Sequence, residues 1–398
     1  MEKHGFPLAL YILTFSVFAI GTTEFVIMGL LPEISRDLHI PIATAGTLIS
    51  VYALTIAFGG PIMSILTSSI SKKTLLLLLM VIFILGNVVS ALAETYTVLI
   101  ISRIITALCH GVFFGVSSVM AVNMVSSDKQ GSAIALVFAG ITIANVVGVP
   151  LGTFIGQLFG WQSAFWSVAI LGGLALLLIF VQVPTVKSQM AGNSVSNIRV
   201  LYRPRVLSTL LMSLLFATGI VMIFTYLSTI LQSISKFSPG WTSFLLALVG
   251  IGSAIGIIWG GKAADKNLIR SSILFLLALA AVMVLFSFVS QYQIATIITV
   301  FFFGLMSFTV APALQSRIVQ VAPEAPELAS TVNVSAINLG NALGPFIGGF
   351  AIKSSYGLHA VSWVGAIVIL LTVVVVLFNG MLDKRLQTTE KMIIQKRE

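Results

Sequence analysis

Residues 7–31 read PLALYILTFSVFAIGTTEFVIMGLL, an apolar run broken by one carboxylate, Glu24, within Gly21-Thr22-Thr23-Glu24-Phe25-Val26. A helix rises about 1.5 Å per residue, so this run reaches across a hydrocarbon core about 30 Å thick, with Glu24 about 10 Å inside its far end. An ionised acid at membrane depth costs about 2.5 to 3.5 kcal/mol on insertion scales. The group must therefore be protonated, paired, or turned toward a water-filled cavity. Each condition makes it a candidate proton carrier. The blander alternative is a side chain that snorkels to the near surface beside Thr22 and Thr23.

The rest of the chain repeats the pattern. Of its 398 residues 58% are hydrophobic and only 8% charged, with a mean hydropathy of +1.09, a balance that soluble domains of this size do not carry. Apolar runs of about twenty residues between short polar breaks read as helices, not as the alternating strands of a barrel. Twelve spans are expected, at 7–31, 42–66, 74–93, 97–122, 132–158, 163–183, 206–232, 241–261, 271–290, 294–318, 328–352 and 359–381. The first is too long for a signal peptide and is followed by further spans, so it is expected to stay in the mature chain. The fold class is an all-α membrane protein with twelve transmembrane helices in two pseudo-symmetric six-helix bundles. Residues 1–183 make the N-terminal bundle, 184–205 a cytoplasmic linker rich in Ser, Asn and basic residues, 206–381 the C-terminal bundle, and 382–398 a cytoplasmic tail.

The formal net charge of +9 follows from topology. An even number of spans puts both termini on one side; seventeen lysines and arginines fall there, against Arg36, Lys236 and Lys353 opposite. The positive-inside bias assigns that side to the cytoplasm, and the basic charge needs no nucleic acid. The expected partners are a small-molecule substrate and the lipid bilayer, with the chain acting as a monomer. The single Cys109 excludes an intrachain disulfide, and the four histidines, His4, His39, His110 and His359, are scattered. No metal-ligand cluster and no enzyme active site is expected.

The halves echo each other. The stretch Gly59 to Lys73 has a counterpart 198 positions on, Gly148 and Gly152 precede Gly344 and Gly348 by 196, and Trp166 precedes Trp363 by 197. Parallel six-helix repeats are the sequence sign of a transporter that rocks one half against the other. Span four holds the remaining deep ionisable groups, Arg103 and His110, seven residues apart and so close to one helix face. Arg103 matches Glu24 in depth, which permits a Glu24–Arg103 contact, while His110 lies about 10 Å deeper, where an imidazole can pass a proton onward or sit neutral on a carbonyl or an Asn. Ala107, Gly111 and Gly115 form a small-residue packing stripe on the same helix. In span five Asn145, Gly148, Pro150 and Gly152, and in span eleven Asn338, Gly344 and Pro345, read as bending, closely packed segments at a half-to-half interface.

Other residues suggest gates and walls. Asp265 and Lys266 in the loop after span eight, with Arg270, are candidates for a cytoplasmic latch; Lys72 and Lys73 occupy the first-half counterpart, where Thr67 replaces the acid. They could equally serve topology alone. Thr218, Tyr226, Phe302, Phe303, Asn145 and Asn338 are the candidate solute contacts, a wall that suits an apolar or moderately polar molecule.

Taken together these residues resemble the major facilitator superfamily, and within it the twelve-span drug:proton antiporters of the sugar-efflux and arabinose-efflux type. Thr22-Thr23-Glu24-Phe25-Val26-Ile27-Met28-Gly29-Leu30-Leu31-Pro32 looks like the subgroup's first-span signature, Arg103 and His110-Gly111-Val112-Phe113-Phe114-Gly115 like its fourth span, and Gly148-Val149-Pro150-Leu151-Gly152 like its antiporter motif, with Val149 where glycine is usual. The resemblance implies export driven by a proton gradient, with no cofactor, in the cytoplasmic membrane of a bacterium. Glu24, Arg103 and His110 are then expected to couple the proton, and Gly148, Pro150, Gly152, Lys72, Lys73, Asp265, Lys266 and Arg270 to gate. Amphiphilic antibiotics such as tetracyclines or phenicols are the expected cargo; sugars or purine nucleosides, or uniport by the same fold, are the alternatives.

Overall fold

The computed structural model describes residues 6–67, 70–126, 129–184, 199–324 and 326–395. Residues 185–198 of the expected linker and the last three of the expected tail lie outside the described residues. All regular structure among the described residues is helical. Eleven helices are long and apolar enough to cross a membrane. The expected eleventh span, Pro326–Ile352, is 27 residues long but is not one of these eleven, its asparagines 333, 338 and 341 diluting its apolar content.

Local sequence sets the breaks. Helix α1 (Leu8–Gly29) follows Pro7, and the short α2 (Leu31–Asp37) carries Pro32 in its first turn, where a missing N–H costs nothing. Span two is α3 (Ile42–Leu54), a five-residue π turn (Thr55–Gly59) and α4 (Gly60–Leu66). Helix α5 (Lys72–Ala91) is capped by the Ser71 hydroxyl, which accepts from Thr74 N at 3.4 Å, and α6 (Tyr96–Asn123) by the Thr95 hydroxyl, which accepts from Val98 N at 3.4 Å. Span five is α7 (Gln130–Ile143), a second π turn (Ala144–Gly148) and α8 (Val149–Phe159). The wide turn stands just before Pro150, which cannot donate to a regular helix. Gly160, with φ of 88°, ends α8 in the left-handed region, and α9 (Gln162–Gln182) completes the first repeat.

In the second repeat α10 (Pro204–Ser233) is span seven. Spans eight and nine run together as α11 (Pro239–Val289), broken where Asn267 leaves helical geometry and its Oδ1 accepts from Arg270 N at 2.9 Å, starting the next helix. The expected tenth span is two pieces, α12 (Gln293–Ser307) and α13 (Ala311–Val321), since Pro312 opens a new helix. Helices α14 (Pro326–Ile352) and α15 (His359–Gln395) close the chain, α15 extending helically through most of the expected tail.

Two compact units emerge, Met1–Met190 with Phe224–Gly250, and Ala191–Ile223 with Ile251–Glu398. The far end of span seven and the start of span eight thus pack with the first repeat. Ser228 Oγ donates to Met28 O at 2.6 Å, Gln232 Nε2 to Glu33 at 3.2 Å, and Ser243 Oγ to Gln157 at 2.8 Å. Gly250 lets that span approach the π turn at Asn145: a Cβ there would lie 2.6 Å from the Asn145 carbonyl oxygen.

The second unit is tied at one end by polar side chains that sequence reading counted only as topology markers or did not single out. Arg317, almost wholly buried, donates to Asn379 Oδ1 at 2.9 and 2.6 Å and to Asp383 at 2.7 Å; Arg205 meets the same carboxylate at 2.5 Å. Asn379 Nδ2 donates to Ser208 Oγ at 2.7 Å. Asp383→Asn leaves two guanidinium groups without their anion and is expected to cost about 3 kcal/mol, the scale of breaking a buried pair. Thermal unfolding of the purified variant checks this; an unchanged melting temperature contradicts it. Nearby, outside the membrane spans, the Glu324 carboxyl is held below its ordinary range by its own backbone N–H and then by Arg203 at 3.0 Å. That pair holds at neutral pH and is lost only as pH falls through the lowered value.

Candidate functional site

Three helices of the first unit bring Glu24, Tyr52, Arg103 and His110 together. Arg103 on α6 is 1% exposed and crosses to α1, but not to the carboxylate: Nη1 donates to Thr23 O at 2.7 Å and Nη2 to Glu24 O at 3.3 Å. These carbonyls are already accepting within the helix, and their second lone pairs take the charge-assisted bonds. The guanidinium lies 4.0 Å from the centroid of the Tyr52 ring on α3, a cation–π contact worth about 2 kcal/mol when desolvated. Among the described residues its Nε has no hydrogen-bond partner. Arg103 is therefore a fixed cation, anchored by main chain and an aromatic face.

The Glu24 carboxylate meets His110 instead, Oε2 lying 3.7 Å from Nδ1. The expected Glu24–Arg103 pairing is therefore not an ion pair between side chains: the guanidinium takes only Glu24's main-chain oxygen, and the carboxylate's ion-pair partner among the described residues is His110. His110 also faces the Tyr52 hydroxyl at 3.1 Å and stacks on Phe114 with centroids 4.4 Å apart. Both side chains of the acid–imidazole pair are about one tenth exposed. A titratable acid, an imidazole and a phenol beside a fixed cation, in one largely buried cluster, are groups that can hold or pass a proton.

The neighbouring helices hold α1 in place by close approach. A Cβ on Gly148 would overlap Thr22 Oγ1, and one on Gly152 would lie 2.6 Å from Val26 Cγ2, so α8 rides directly on the segment carrying Glu24. These glycines face α1 of their own repeat. On the other side Thr23 Oγ1 donates to Asn87 Oδ1, whose Nδ2 donates to Phe83 O at 2.8 Å. Gly111 approaches Gly60, where a Cβ would meet Cα at 2.9 Å, and Ala107 clusters with Tyr52 and Ile56, but at Gly115 the small-residue stripe faces nothing within 4 Å. In the second unit a Cβ on Gly344 would crowd Thr218 O at 2.8 Å. Thr22 and Thr218 are 196 positions apart, as are Gly148 and Gly344, so the packing contact repeats with the sequence. The site itself does not: the counterpart of Glu24 is Ile220.

The description Major Facilitator Superfamily fits residues 13–335. This chain is a member of the Major Facilitator Superfamily. It is 41% identical over 378 residues to the inner membrane transport protein YdhP of Escherichia coli K12, covering 95% of this chain and 97% of that one. It is 30% identical over 356 residues to a probable sugar efflux transporter of Helicobacter pylori P12 (89% and 90% covered) and 29% over 378 to a chloramphenicol resistance protein of Streptomyces lividans (93% and 95%). Among solved structures the nucleoside transporter NupG superposes with a TM-score of 0.77 at 13% identity, covering 94% of this chain and 99% of that one, a likeness of fold alone. The protein is a multi-pass inner-membrane transporter and not an enzyme.

The other residues singled out in this facilitator's sequence are spread more widely. Of the solute-contact candidates, Asn145 and Tyr226 belong to the first unit, where the Tyr226 hydroxyl abuts Gly46. Thr218, Phe302, Phe303 and Asn338 belong to the second. Thr218 is spent on Leu214 O at 2.8 Å and Asn338 Nδ2 on Val334 O at 3.0 Å. Phe303 is buried, whereas Phe302 is 43% exposed. Of the gating candidates, Lys73 Nζ donates to Phe180 O at 2.9 Å, a helix C-terminus on which a cation is stabilising. Lys72 is half-buried, Lys266 and Arg270 are exposed, and the Asp265 side chain lies outside the described residues. Pro150 is buried at the start of α8. Tyr52 and Asn87 were missed; a lone tyrosine in an otherwise aliphatic-rich second span was the available signal for the first, and nothing marked the second.

Proposed function

We propose that this facilitator is a proton-coupled exporter of small molecules, most directly of phenicol-like antibiotics, working by alternating access with its termini in the cytoplasm. The observation that carries the reading is the Glu24–His110 contact at 3.7 Å, a titratable pair at membrane depth beside a fixed Arg103 cation. In one state Glu24 is deprotonated and solute binds from the cytoplasmic side. A proton arriving from outside neutralises Glu24, removes its attraction to the Arg103 charge, and favours the state that releases solute outward. The far-side bonds Ser228–Met28, Gln232–Glu33 and Ser243–Gln157 are of the kind that must break and re-form in such a cycle. Similarity to the Streptomyces chloramphenicol resistance protein supports the cargo, and the Helicobacter sugar efflux relatives support a second, sugars.

The test is reconstitution in proteoliposomes with an acid-inside pH gradient and radiolabelled chloramphenicol, with a pentose and a disaccharide in parallel. The expected result is accumulation of chloramphenicol that collapses when a protonophore dissipates the gradient. Gradient-driven accumulation of a sugar alone moves the assignment to sugar efflux, and equilibration of either solute without any effect of the gradient overturns proton coupling in favour of uniport.

A further inference from the structure

His110 Nδ1 has two candidates for one position. The Tyr52 hydroxyl stands at 3.1 Å, within hydrogen-bonding range, and Glu24 Oε2 at 3.7 Å, outside it. Tyr52 is 1% exposed, and its hydroxyl is hydrogen-bonded to His110. A buried phenol keeps its proton satisfied by donating, which requires Nδ1 to be the unprotonated, accepting nitrogen and places the ring proton on Nε2. The Phe114 stack at 4.4 Å fixes the plane of the imidazole, so Nδ1 cannot turn to a second partner by rotating the ring. The charged or titratable groups facing this nitrogen are Glu24 from α1, Tyr52 from α3 and Arg103 from its own helix, with Cys109 adjoining.

We infer that Tyr52 is a positioning residue whose hydroxyl occupies His110 Nδ1 and thereby withholds it from Glu24 until α3 shifts. The inference rests on the proton-coupled reading above. While Tyr52 donates into Nδ1, a proton on Glu24 cannot pass to His110. When the phenol withdraws, the O–H bond of the Glu24 carboxyl breaks, an N–H bond forms on Nδ1, and a neutral pair becomes a carboxylate and an imidazolium with no net change in charge. Proton passage is in this way made conditional on a movement of α3 relative to α6. Three residues beyond Tyr52 the helix runs into the π turn Thr55–Gly59, where an extra residue per turn lets the axis shift without unwinding. The second anchor of Tyr52, its ring over the Arg103 guanidinium, survives loss of the hydroxyl, so Tyr52→Phe removes the donor and keeps the platform.

The experiment uses full-length protein in lipid nanodiscs with 15N-labelled histidine at about pH 8, where an ordinary imidazole is neutral; His110→Gln identifies the signal. The wild type is expected to show His110 with Nδ1 as acceptor and Nε2 protonated, and Tyr52→Phe to move the proton to Nδ1, paired with Glu24, an effect reversed by Glu24→Gln in the same chain. A protonated Nδ1 in the wild type, or an unchanged signal in Tyr52→Phe, overturns the inference. The wild-type spectrum alone decides the matter if Tyr52→Phe does not fold. In liposomes loaded with a pH dye, Tyr52→Phe should raise solute-free proton leak about tenfold over wild type; equal leak also overturns it. The spectra require no substrate, so failure of chloramphenicol transport, or normal gradient-driven transport by Glu24→Gln, strikes the functional reading and is distinguishable from failure here.

Discussion

Glu24→Gln is expected to reduce gradient-driven accumulation of chloramphenicol by about tenfold or more, the lower range of coupling free energies between linked sites, while leaving exchange of labelled for unlabelled solute near wild-type. The expectation follows from which atoms of Glu24 do what. Its main-chain oxygen receives Arg103 at 3.3 Å, and Gln leaves that bond intact, so the cation stays anchored and the fold is undisturbed. The side chain loses only its capacity to carry a proton to or from His110. Gradient-driven uptake and exchange measured on the same liposomes separate the two; loss of both together points to a damaged fold, and retention of both removes Glu24 from the coupling step.

The second large effect is structural. Gly256 and Gly260 lie on span eight where it touches span ten, and a Cβ at either would overlap a backbone oxygen, that of Leu305 and of Thr309 respectively. Backbone cannot swing aside as a side-chain tip can, so Gly260→Ala must force two helices apart. Gly→Ala in an exposed helix interior normally stabilises by about 1 kcal/mol. Here the sign reverses, and a loss of about 3 kcal/mol is expected, the upper range for overpacking a close contact. Gly261→Ala, one residue on with nothing within 4 Å, is the control and should be neutral or better. Melting temperature and the monodisperse fraction after extraction check the pair. Equal behaviour of the two variants contradicts the packing account.

The architecture was legible because a membrane leaves few choices: long apolar runs must be helices, and the spacing of basic residues and of Gly148 against Gly344 exposes the repeat. Where span boundaries differ from the expected ones, a local feature sets them. Pro312 divides span ten, and Asn267 supplies a cap that lets spans eight and nine run together. At the site, Glu24, Arg103 and His110 stand out because charge is costly in hydrocarbon, but depth pairs Glu24 with Arg103 and sets His110 about 10 Å deeper, whereas the carboxylate meets His110 at 3.7 Å. The partners were beyond that reasoning. Depth cannot say whether Arg103 meets a carboxylate or a carbonyl, and Tyr52 carries no charge to flag it, though it touches two of the three. Asp383 and Arg317 were hidden for another reason: at the ends of spans, basic residues are common, and only folding shows that 66 positions of separation close to 2.7 Å.

The central claim is that Glu24 itself gains and loses a proton inside the membrane. Infrared titration of the reconstituted protein reads this without any substrate, through the C=O stretch of a protonated carboxyl. The account predicts one titrating band, in a poorly hydrated environment, that is present in wild type and absent in Glu24→Gln; a spectrum in which the variant keeps every titrating band of the wild type contradicts it.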